Sequence, residues 1–298
     1  HYAVEKGIET YGHVFDIHYP NLEMPATRPL KISPCYTKMS EMGAVWGEKY
    51  GWERANWFAS DSNAAFDEHS FHRSNDFESV GNECNAARNK VALIDFTPFS
   101  KFEVTGNDAS QLLDQLVANR LPAKDRTKLV HVLTNAGGVR SEFTVSCLAD
   151  NHYYLVTPGW AERFDDDLLT KTSACYADVK INNTTAEKGV FLITGPNSRA
   201  LLQGISNDDL SSQAFPWYRA KDINIQGVGQ VLAIRLSYIG ELGYELHHDL
   251  SQQLALFDLL FKNGADLGLV PIGMRAIDSL RLEKSYRAWD LDIGREYS

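Results

Sequence analysis

Two similar segments decide the fold, VTGNDASQLLDQL at residues 104–116 and ITGPNSRALLQGI at residues 193–205. Each begins with an apolar run typical of a strand, which ends in Thr-Gly and continues through Asn or Pro. A helix is predicted to follow, because apolar residues then recur at helical spacing. The same unit repeated within one chain indicates a duplication. The sequence therefore predicts two related α/β halves.

The other apolar segments mostly predict strands. LVHVLTN, FTVSCLA and HYYLVTP follow the first copy of the repeat, and INIQGVGQVLAIRLSY follows the second. Parallel strands need long crossover connections, and the strands outnumber the places where such crossovers fit. We therefore predict an α+β fold with mainly antiparallel sheets. GVGQ at residues 227–230 is predicted to be a turn, since no third glycine completes a GxGxxG nucleotide-binding motif.

Residues 1–78 are predicted to form a connector segment ahead of a domain at residues 79–298. The first 60 residues are expected to be irregular, because four prolines forbid long regular elements there: Pro20, Pro25, Pro29 and Pro34. Residues 61–79 are polar and predict a loop or boundary. Three tryptophans nevertheless indicate that the connector packs against other parts of the protein: Trp46, Trp52 and Trp57.

Composition narrows the function classes. The chain has 298 residues, of which 39 are acidic and 29 basic, giving a formal charge of -10. This charge argues against a nucleic-acid partner, because phosphate binding needs concentrated lysine and arginine. No apolar run approaches the roughly 20 residues that span a bilayer, so no membrane partner is expected. The four cysteines lack CxxC spacing, which favours a reducing compartment: Cys35, Cys84, Cys147 and Cys175.

Several familiar motifs are missing from the sequence. It contains neither a GxxxxGK[ST] phosphate loop nor a GxSxG nucleophile elbow. Glu68, His69 and His72 lie in a polar loop and are expected to be solvated, so we predict no metal site. The pair His247–His248 is expected at the surface.

Two predicted hairpins contain the acidic residues that are candidates for a ligand site. LTNAGGVRSEFTV at residues 133–145 turns at Gly-Gly and re-enters a strand that contains Glu142. LSYIGELGYELHH at residues 236–248 predicts a strand, a tight turn and a second strand, with Glu241 in the turn and Glu245 after it. From the residues alone, either hairpin could be an ordinary sheet corner or the wall of a ligand site.

From about residue 83 onward, the chain resembles the folate-binding domain of the glycine-cleavage T-protein family. The matching pieces are IDFTPFSKFEVTG, LTNAGGVRSEFTV, FLITGPNSRALL, SYIGELGYEL and LRLEKSYRAW. The earlier segment RPLKISPCYTKMSEMGAVWGEKYGWERANWF resembles the connector before that domain in dimethylglycine and sarcosine dehydrogenases and related oxidases. Together these pieces reach across nearly the whole chain.

The resemblance implies a function. In that family an N-terminal FAD domain oxidises an N-methyl group, and the folate domain combines the one-carbon unit with tetrahydrofolate to form 5,10-methylenetetrahydrofolate. We expect this chain to be a middle portion of a longer protein, without the FAD domain and without a C-terminal subdomain. FAD is expected only in the missing N-terminal portion. The compartment would be the cytoplasm in a bacterium and the mitochondrial matrix in a eukaryote.

Two other functions remain open at this point. A stand-alone folate-dependent aminomethyltransferase or demethylase could use the same pocket on another substrate, although the connector resemblance speaks against it. The chain could also be a non-catalytic module that binds folate or acts as a scaffold. Such a module would not need the carboxylates of Glu142 and Glu245, so their presence argues against it.

The resemblance also assigns roles to single residues. Glu142 falls on an acidic position, Asp in the T-protein, and would accept a proton or stabilise a cation during transfer. Glu245 falls on the residue that binds the pterin, whose N–H and amino edge suits a carboxylate. Four aromatic residues would line the pocket, although core packing explains them nearly as well: Tyr238, Trp217, Tyr286 and Phe99. One departure is Ile277, where the T-protein motif has an arginine that Arg275 or Arg281 would have to replace.

Overall fold

The computed structural model describes residues 1–61 and 64–296. The helices are α1 (Tyr2–Gly12), α2 (Tyr36–Glu41), α3 (Phe77–Asn89), α4 (Ala109–Leu116), α5 (Glu162–Ser173), α6 (Ser198–Ile205), α7 (Gln253–Gly264) and α8 (Met274–Glu283). The strands are β1 (Ala44–Lys49), β2 (Trp52–Phe58), β3 (Val91–Asp95), β4 (Ser100–Thr105), β5 (Arg126–Leu133), β6 (Val139–Ala149), β7 (His152–Thr157), β8 (Lys180–Asn183), β9 (Lys188–Thr194), β10 (Ala220–Ile225), β11 (Gly229–Ile234), β12 (Gly243–Asp249) and β13 (Leu269–Pro271).

The two predicted halves are present as two related sheets. The five-stranded sheet has the order β5-β6-β7-β4-β8, and the six-stranded sheet has the order β10-β11-β12-β9-β3-β13. Strands β5-β6-β7-β4 and β10-β11-β12-β9 therefore correspond, with α4 and α6 in equivalent connections. Within these two sheets, over the residues that the structure describes, every strand pairing is antiparallel except that of β13 with β3. The predicted α+β fold with mainly antiparallel sheets is confirmed.

A glycine links strand to helix in each copy of the repeat. Gly106 and Gly195 have φ values of 117° and 114°, which side-chain-bearing residues rarely adopt. A Cβ on Gly106 would lie 2.2 Å from the carbonyl oxygen of Asp178, and one on Gly195 would lie 2.6 Å from that of Lys90. The repeated Thr-Gly thus marks a backbone turn that passes close to a neighbouring chain segment.

Each sheet packs one face against its own helices. Phe143 and Val145 of β6 lie in a buried cluster with Leu112 of α4 and Leu169 of α5. Tyr244 and Leu246 of β12 lie in a second cluster with α6 and α7. Because side chains alternate along a strand, residues between these apolar ones project from the opposite face of each sheet.

The N-terminal segment is more regular than predicted. It contains helix α1 and the antiparallel hairpin β1–β2. Trp52 and Trp57 are buried, as their type indicated, and Met39 and Phe58 belong to the same buried cluster as α6 and α7. The prolines exclude regular structure only locally, since α1 and the hairpin lie on either side of them. The division at residues 78 and 79 stays a prediction.

Three local predictions were wrong. Residues 236–239 form a loop rather than a strand, because the β11–β12 pairing ends with Ile234 opposite Glu245. His247 and His248 lie within β12 and are 4% and 2% exposed, not at the surface. MRAIDSLRLEKSYRAW at residues 274–289 predicts a single helix, but helix α8 ends at Glu283, and Ser285 just after it has a left-handed φ of 58°.

Candidate functional site

The site residues project from the sheet faces that do not contact the helices. Glu142 alternates with buried Phe143 on β6, and Ser146, on the same face as Glu142, lies opposite Tyr154 of β7. Glu142 and Tyr154 therefore share one face of the five-stranded sheet. On β12, Glu245 and His247 alternate with Tyr244 and so share one face of the six-stranded sheet. A hydrogen bond between Tyr154 and His247 joins these two faces.

Glu142 is held by a histidine from the neighbouring strand. His131 of β5 lies directly opposite it in the ladder, and its Nε2 is 2.9 Å from Oε2 of Glu142. The Glu142 side chain is 15% exposed and that of His131 is 27% exposed. The carboxylate is thus fixed by one partner but still open to a ligand, the arrangement expected for a group that accepts a proton.

Glu245 belongs to a second hydrogen-bonded group. Its Oε2 lies 3.2 Å from Nε2 of His247, whose Nδ1 lies 3.1 Å from the hydroxyl of Tyr154. The two rings meet edge to face, with centroids 5.2 Å apart. Burial raises the pKa of Tyr154 well above its ordinary value, and the charges of Glu245 and Glu103 add to that effect. Tyr154 is therefore a neutral hydrogen-bond donor, and the Glu245 side chain keeps 13% exposure.

Tyr238 contacts the segment that follows α8. Its hydroxyl donates to the carbonyl oxygen of Arg287 at 3.0 Å, and its ring stacks on Tyr286 with centroids 6.2 Å apart. Burial raises the pKa of Tyr238 to about 12; the Arg281 guanidinium opposes this, and the charge of Glu142 supports it.

Two arginines of α8 have different surroundings. Arg281 is 4% exposed, donates to the carbonyl oxygen of Tyr286 at 3.0 Å, and pairs with Asp278 and Asp292. Arg275 pairs with Asp67 and Asp76 and so anchors the connector. Of the two candidates to replace the missing arginine, Arg281 is therefore the one beside Tyr238 and Tyr286. Ile277 itself is 2% exposed within an apolar cluster.

Phe99 and Trp217 are less closely connected to the carboxylates. Phe99 packs on Phe96, with ring centroids 4.9 Å apart, and borders the cluster that Tyr238 also borders. Trp217 is 36% exposed, and its ring meets Tyr218 edge to face at 5.2 Å. Among the described residues, the structure brings Tyr238 and Tyr286 together and joins Glu245 to Tyr154 through His247. The catalytic role of Glu142 and the folate contacts of the other five predicted residues stay predictions.

A cavity of about 360 Å³ opens at the turn end of the β5–β6 hairpin. It is lined by Leu133, Thr134, Asn135, Arg140, Phe164 and Arg295. The guanidinium carbons of Arg140 and Arg295 lie 5.7 Å and 4.5 Å from the centre of the Phe164 ring. Arg140 precedes Glu142 by two residues, so cationic surface continues from the candidate site.

Residues 1–61 and 64–296 contain no group of three or more histidine, cysteine or acidic side chains arranged to hold a metal ion. His69 instead lies parallel to Tyr19, with ring centroids 6.3 Å apart. Over the same residues, no helix is both long and apolar enough to cross a bilayer.

Three polar residues of the site were not predicted: His131, His247 and Tyr154. The strand ladder pairs His131 with Glu142, but a register shift between Val132 and Leu133 means that counting outward from the Gly-Gly turn does not give this pair. His247 follows Glu245 by two residues, and this spacing puts both side chains on one strand face. Tyr154 left no local signal, since it lies 93 residues before its partner.

Comparisons with known proteins agree with this architecture. A family model described as the GCVT N-terminal domain matches residues 35–298, and one described as the FAD dependent oxidoreductase central domain matches residues 1–33. The chain is 36% identical to human mitochondrial dimethylglycine dehydrogenase over 98% of its own length and 34% of that protein. It is 33% identical to a formaldehyde-forming 4-methylaminobutanoate oxidase of Paenarthrobacter nicotinovorans, over 96% of this chain and 35% of the oxidase.

A solved structure supports the same fold. Aminomethyltransferase T of the glycine cleavage system from Bartonella henselae superposes with a TM-score of 0.73 at 20% identity, covering 90% of this chain and 66% of that one. At this identity the likeness concerns the fold alone. The chain spans about a third of the length of the curated dehydrogenase and oxidase relatives.

Proposed function

Because the chain belongs to the GCVT N-terminal domain family, we propose that it binds tetrahydrofolate where its two sheets meet and transfers a one-carbon unit to it. One observation carries the proposal. Two partly exposed carboxylates, Glu142 and Glu245, project from the connected faces of different sheets, and each is held by a histidine. Polar side chains held in place by hydrogen bonds yet partly exposed are typical of ligand sites.

Glu245 would hold the pterin ring of the folate. The ring presents an N–H and an amino group side by side, and a carboxylate can accept both as parallel hydrogen bonds. The contact with His247 uses Oε2 of Glu245, so Oε1 and the second lone pair of Oε2 remain for the ligand. Tyr238 and Tyr286 offer parallel aromatic faces against which a flat ring packs.

Glu142 would act in the transfer step. Bound tetrahydrofolate supplies the nucleophilic nitrogen, which bonds to the carbon of an iminium ion or of formaldehyde and thereby becomes cationic. Glu142 would accept the proton released from that nitrogen, and its charge would stabilise the cation before the proton leaves. His131 holds the carboxylate at 2.9 Å, so its position is set before the ligand arrives. Forming the second bond to folate would expel the amine or water, to which Glu142 would return the proton it accepted, while the proton of the second folate nitrogen passes to solvent; the product is 5,10-methylenetetrahydrofolate.

The source of the one-carbon unit would be oxidation of an N-methyl group elsewhere in a longer enzyme. The names of the human and Paenarthrobacter relatives denote oxidation of methylated amines, and the second specifies formaldehyde as a product. No dinucleotide-binding motif is present in this chain. We therefore assign FAD, the cofactor of that oxidation, to a portion outside these residues, with the folate site as its acceptor.

Calorimetric titration with 5-formyltetrahydrofolate, a stable folate, tests the binding role. We expect Glu245→Ala to weaken binding at least tenfold, because it removes a charged acceptor of two hydrogen bonds. Glu241→Ala is the matched control, since Glu241 lies four residues earlier and contacts Lys284 at 3.8 Å. Equal affinity of wild type and Glu245→Ala would refute the assignment of the pterin site.

Glu142→Gln tests the transfer role separately. The amide keeps the size of the side chain but accepts no proton. We expect folate affinity to change little while the rate of methylenetetrahydrofolate formation falls about a hundredfold or more. A normal rate in this variant would exclude Glu142 as the proton acceptor.

A further inference from the structure

We propose that Tyr154 and His247 are positioning residues that orient the Glu245 carboxylate for folate, across the boundary between the two halves of the molecule. The inference rests on the proposed function for its ligand, but its geometry can be tested without a ligand. It assigns roles to two residues that touch no folate atom. It also gives a reason why a buried tyrosine from one half is hydrogen-bonded to the histidine that holds the binding carboxylate of the other half.

The contacts form one continuous line. Tyr154 of β7 meets Nδ1 of His247 at 3.1 Å, and Nε2 of the same ring meets Oε2 of Glu245 at 3.2 Å. Tyr154 is 3% exposed and His247 is 4% exposed, so water does not compete with either contact. Of the three side chains, that of Glu245 is the most exposed, at 13%.

The direction of each hydrogen bond follows from the chemistry of the ends. An ionised carboxylate only accepts, so Nε2 of His247 must carry the proton it donates to Glu245. The only acceptor found for the buried Tyr154 hydroxyl among the described residues is Nδ1 of His247. A ring that accepts at Nδ1 and donates at Nε2 is neutral. Tyr154 therefore fixes the tautomer of His247, and His247 fixes the rotation of the Glu245 carboxylate.

This arrangement bears on ligand binding. Two parallel hydrogen bonds to a pterin edge require both carboxylate oxygens to lie in the plane of the ring. A freely rotating glutamate would lose conformational freedom on binding, whereas one held by His247 has already lost it. The side chains that set this orientation come from both sheets, so folate affinity depends on how the two halves pack together.

Tyr154→Phe in the intact protein is the main test. It removes one hydroxyl and no packing, and we expect 5-formyltetrahydrofolate to bind about fivefold more weakly. Tyr153→Phe is the matched control, because Tyr153 is the adjacent residue, is 6% exposed, and bonds Ser110 at 2.8 Å. The proposal is overturned if Tyr154→Phe and Tyr153→Phe bind folate equally well.

Substitutions at His247 separate orientation from packing. His247→Gln can still present an N–H to Glu245, whereas His247→Leu cannot. We expect about a tenfold loss of affinity in the leucine variant and recovery of most of it in the glutamine variant. His248→Leu is the control for burial, since His248 bonds the carbonyl oxygen of Leu246 and not Glu245. Equal losses in both His247 variants would contradict an orienting role.

A double-mutant cycle links these effects to Glu245. In a Glu245→Gln background, Tyr154→Phe is expected to cause less than a twofold further loss, because the group it orients is gone. A loss as large as in the wild-type background would show that Tyr154 acts through general packing, and would overturn the proposal.

Nitrogen-15 NMR of the histidine rings, without ligand, keeps the two proposals distinguishable. We expect His247 to show a protonated Nε2 and an unprotonated Nδ1, and Tyr154→Phe to increase the population of the other tautomer. A wild-type protein that shows this tautomer but binds no folate refutes the proposed function alone. A protein that binds folate with His247 in the other tautomer refutes the positioning role alone.

Discussion

Glu83→Gln is expected to change how the stability of the protein depends on pH. Glu83 of α3 accepts a hydrogen bond from the backbone N–H of Phe58 at 2.7 Å and from that of Gly273 at 2.8 Å. It therefore ties the N-terminal hairpin to the start of α8, while its side chain is 5% exposed. Burial raises its pKa from 4.5 to about 7, although the two backbone hydrogen bonds oppose the shift.

The sign of the effect follows from the raised pKa. Between pH 4.5 and 7 the folded protein keeps a proton on Glu83 that the unfolded chain releases. The stabilisation is complete below pH 4.5 and is lost as the pH rises to about 7. The difference between these pKa values corresponds to about 3 kcal/mol of unfolding free energy. Asp165, whose burial raises its pKa to about 6, contributes in the same direction.

Denaturant unfolding of both proteins from pH 4.5 to 8 measures this contribution. Glutamine does not titrate but puts an amide NH₂ against one backbone N–H, which costs about 1–3 kcal/mol at every pH. We expect the wild-type stability to approach that of Glu83→Gln as the pH rises, while exposed Glu78→Gln follows the wild type throughout. Curves for wild type and Glu83→Gln that stay parallel would refute the reasoning.

Two further substitutions test the packing around the site. Ile277→Arg, which restores the T-protein residue, should destabilise the protein by at least about 3 kcal/mol in thermal unfolding, since it buries a guanidinium in an apolar cluster; Leu282→Arg, at an exposed position of α8, should cost little. Gly195→Ala should cost about 2 kcal/mol or more, because its φ and the nearby Lys90 carbonyl oppose a Cβ. Gly204→Ala in α6 has open space and should be neutral or stabilising, so equal effects of the two alanines would contradict this account of the turn.

The duplicated fold could be predicted because its signal is local. Thr-Gly before an amphipathic helix specifies a strand, a left-handed turn and a helix within about a dozen residues, and both copies form as expected. The family could be predicted for the same reason, since its motifs are short and continuous.

The errors concern residues whose conformation depends on distant partners. His247 is predicted at the surface, because the sequence does not show that Tyr154, from the other half, packs against it. The sequence after Glu283 has good helix formers, yet α8 ends at Glu283. The Arg281 guanidinium donates hydrogen bonds to the carbonyl oxygen of Tyr286 and to Asp292, which lie in the segment after the helix. Tyr238 lies on a loop, where its hydroxyl donates to the carbonyl oxygen of Arg287, near the end of the chain. Local periodicity carries no information about such contacts.

A crystal structure of the protein with 5-formyltetrahydrofolate would show directly where the pterin binds. We predict that the pterin edge lies within hydrogen-bonding distance of both Glu245 oxygens, with the Tyr154–His247 contact unchanged. We also predict that the folate nitrogen that receives the one-carbon unit points toward Glu142. A folate bound away from Glu245, or bound with Glu142 on the far side of the ring, would contradict these predictions.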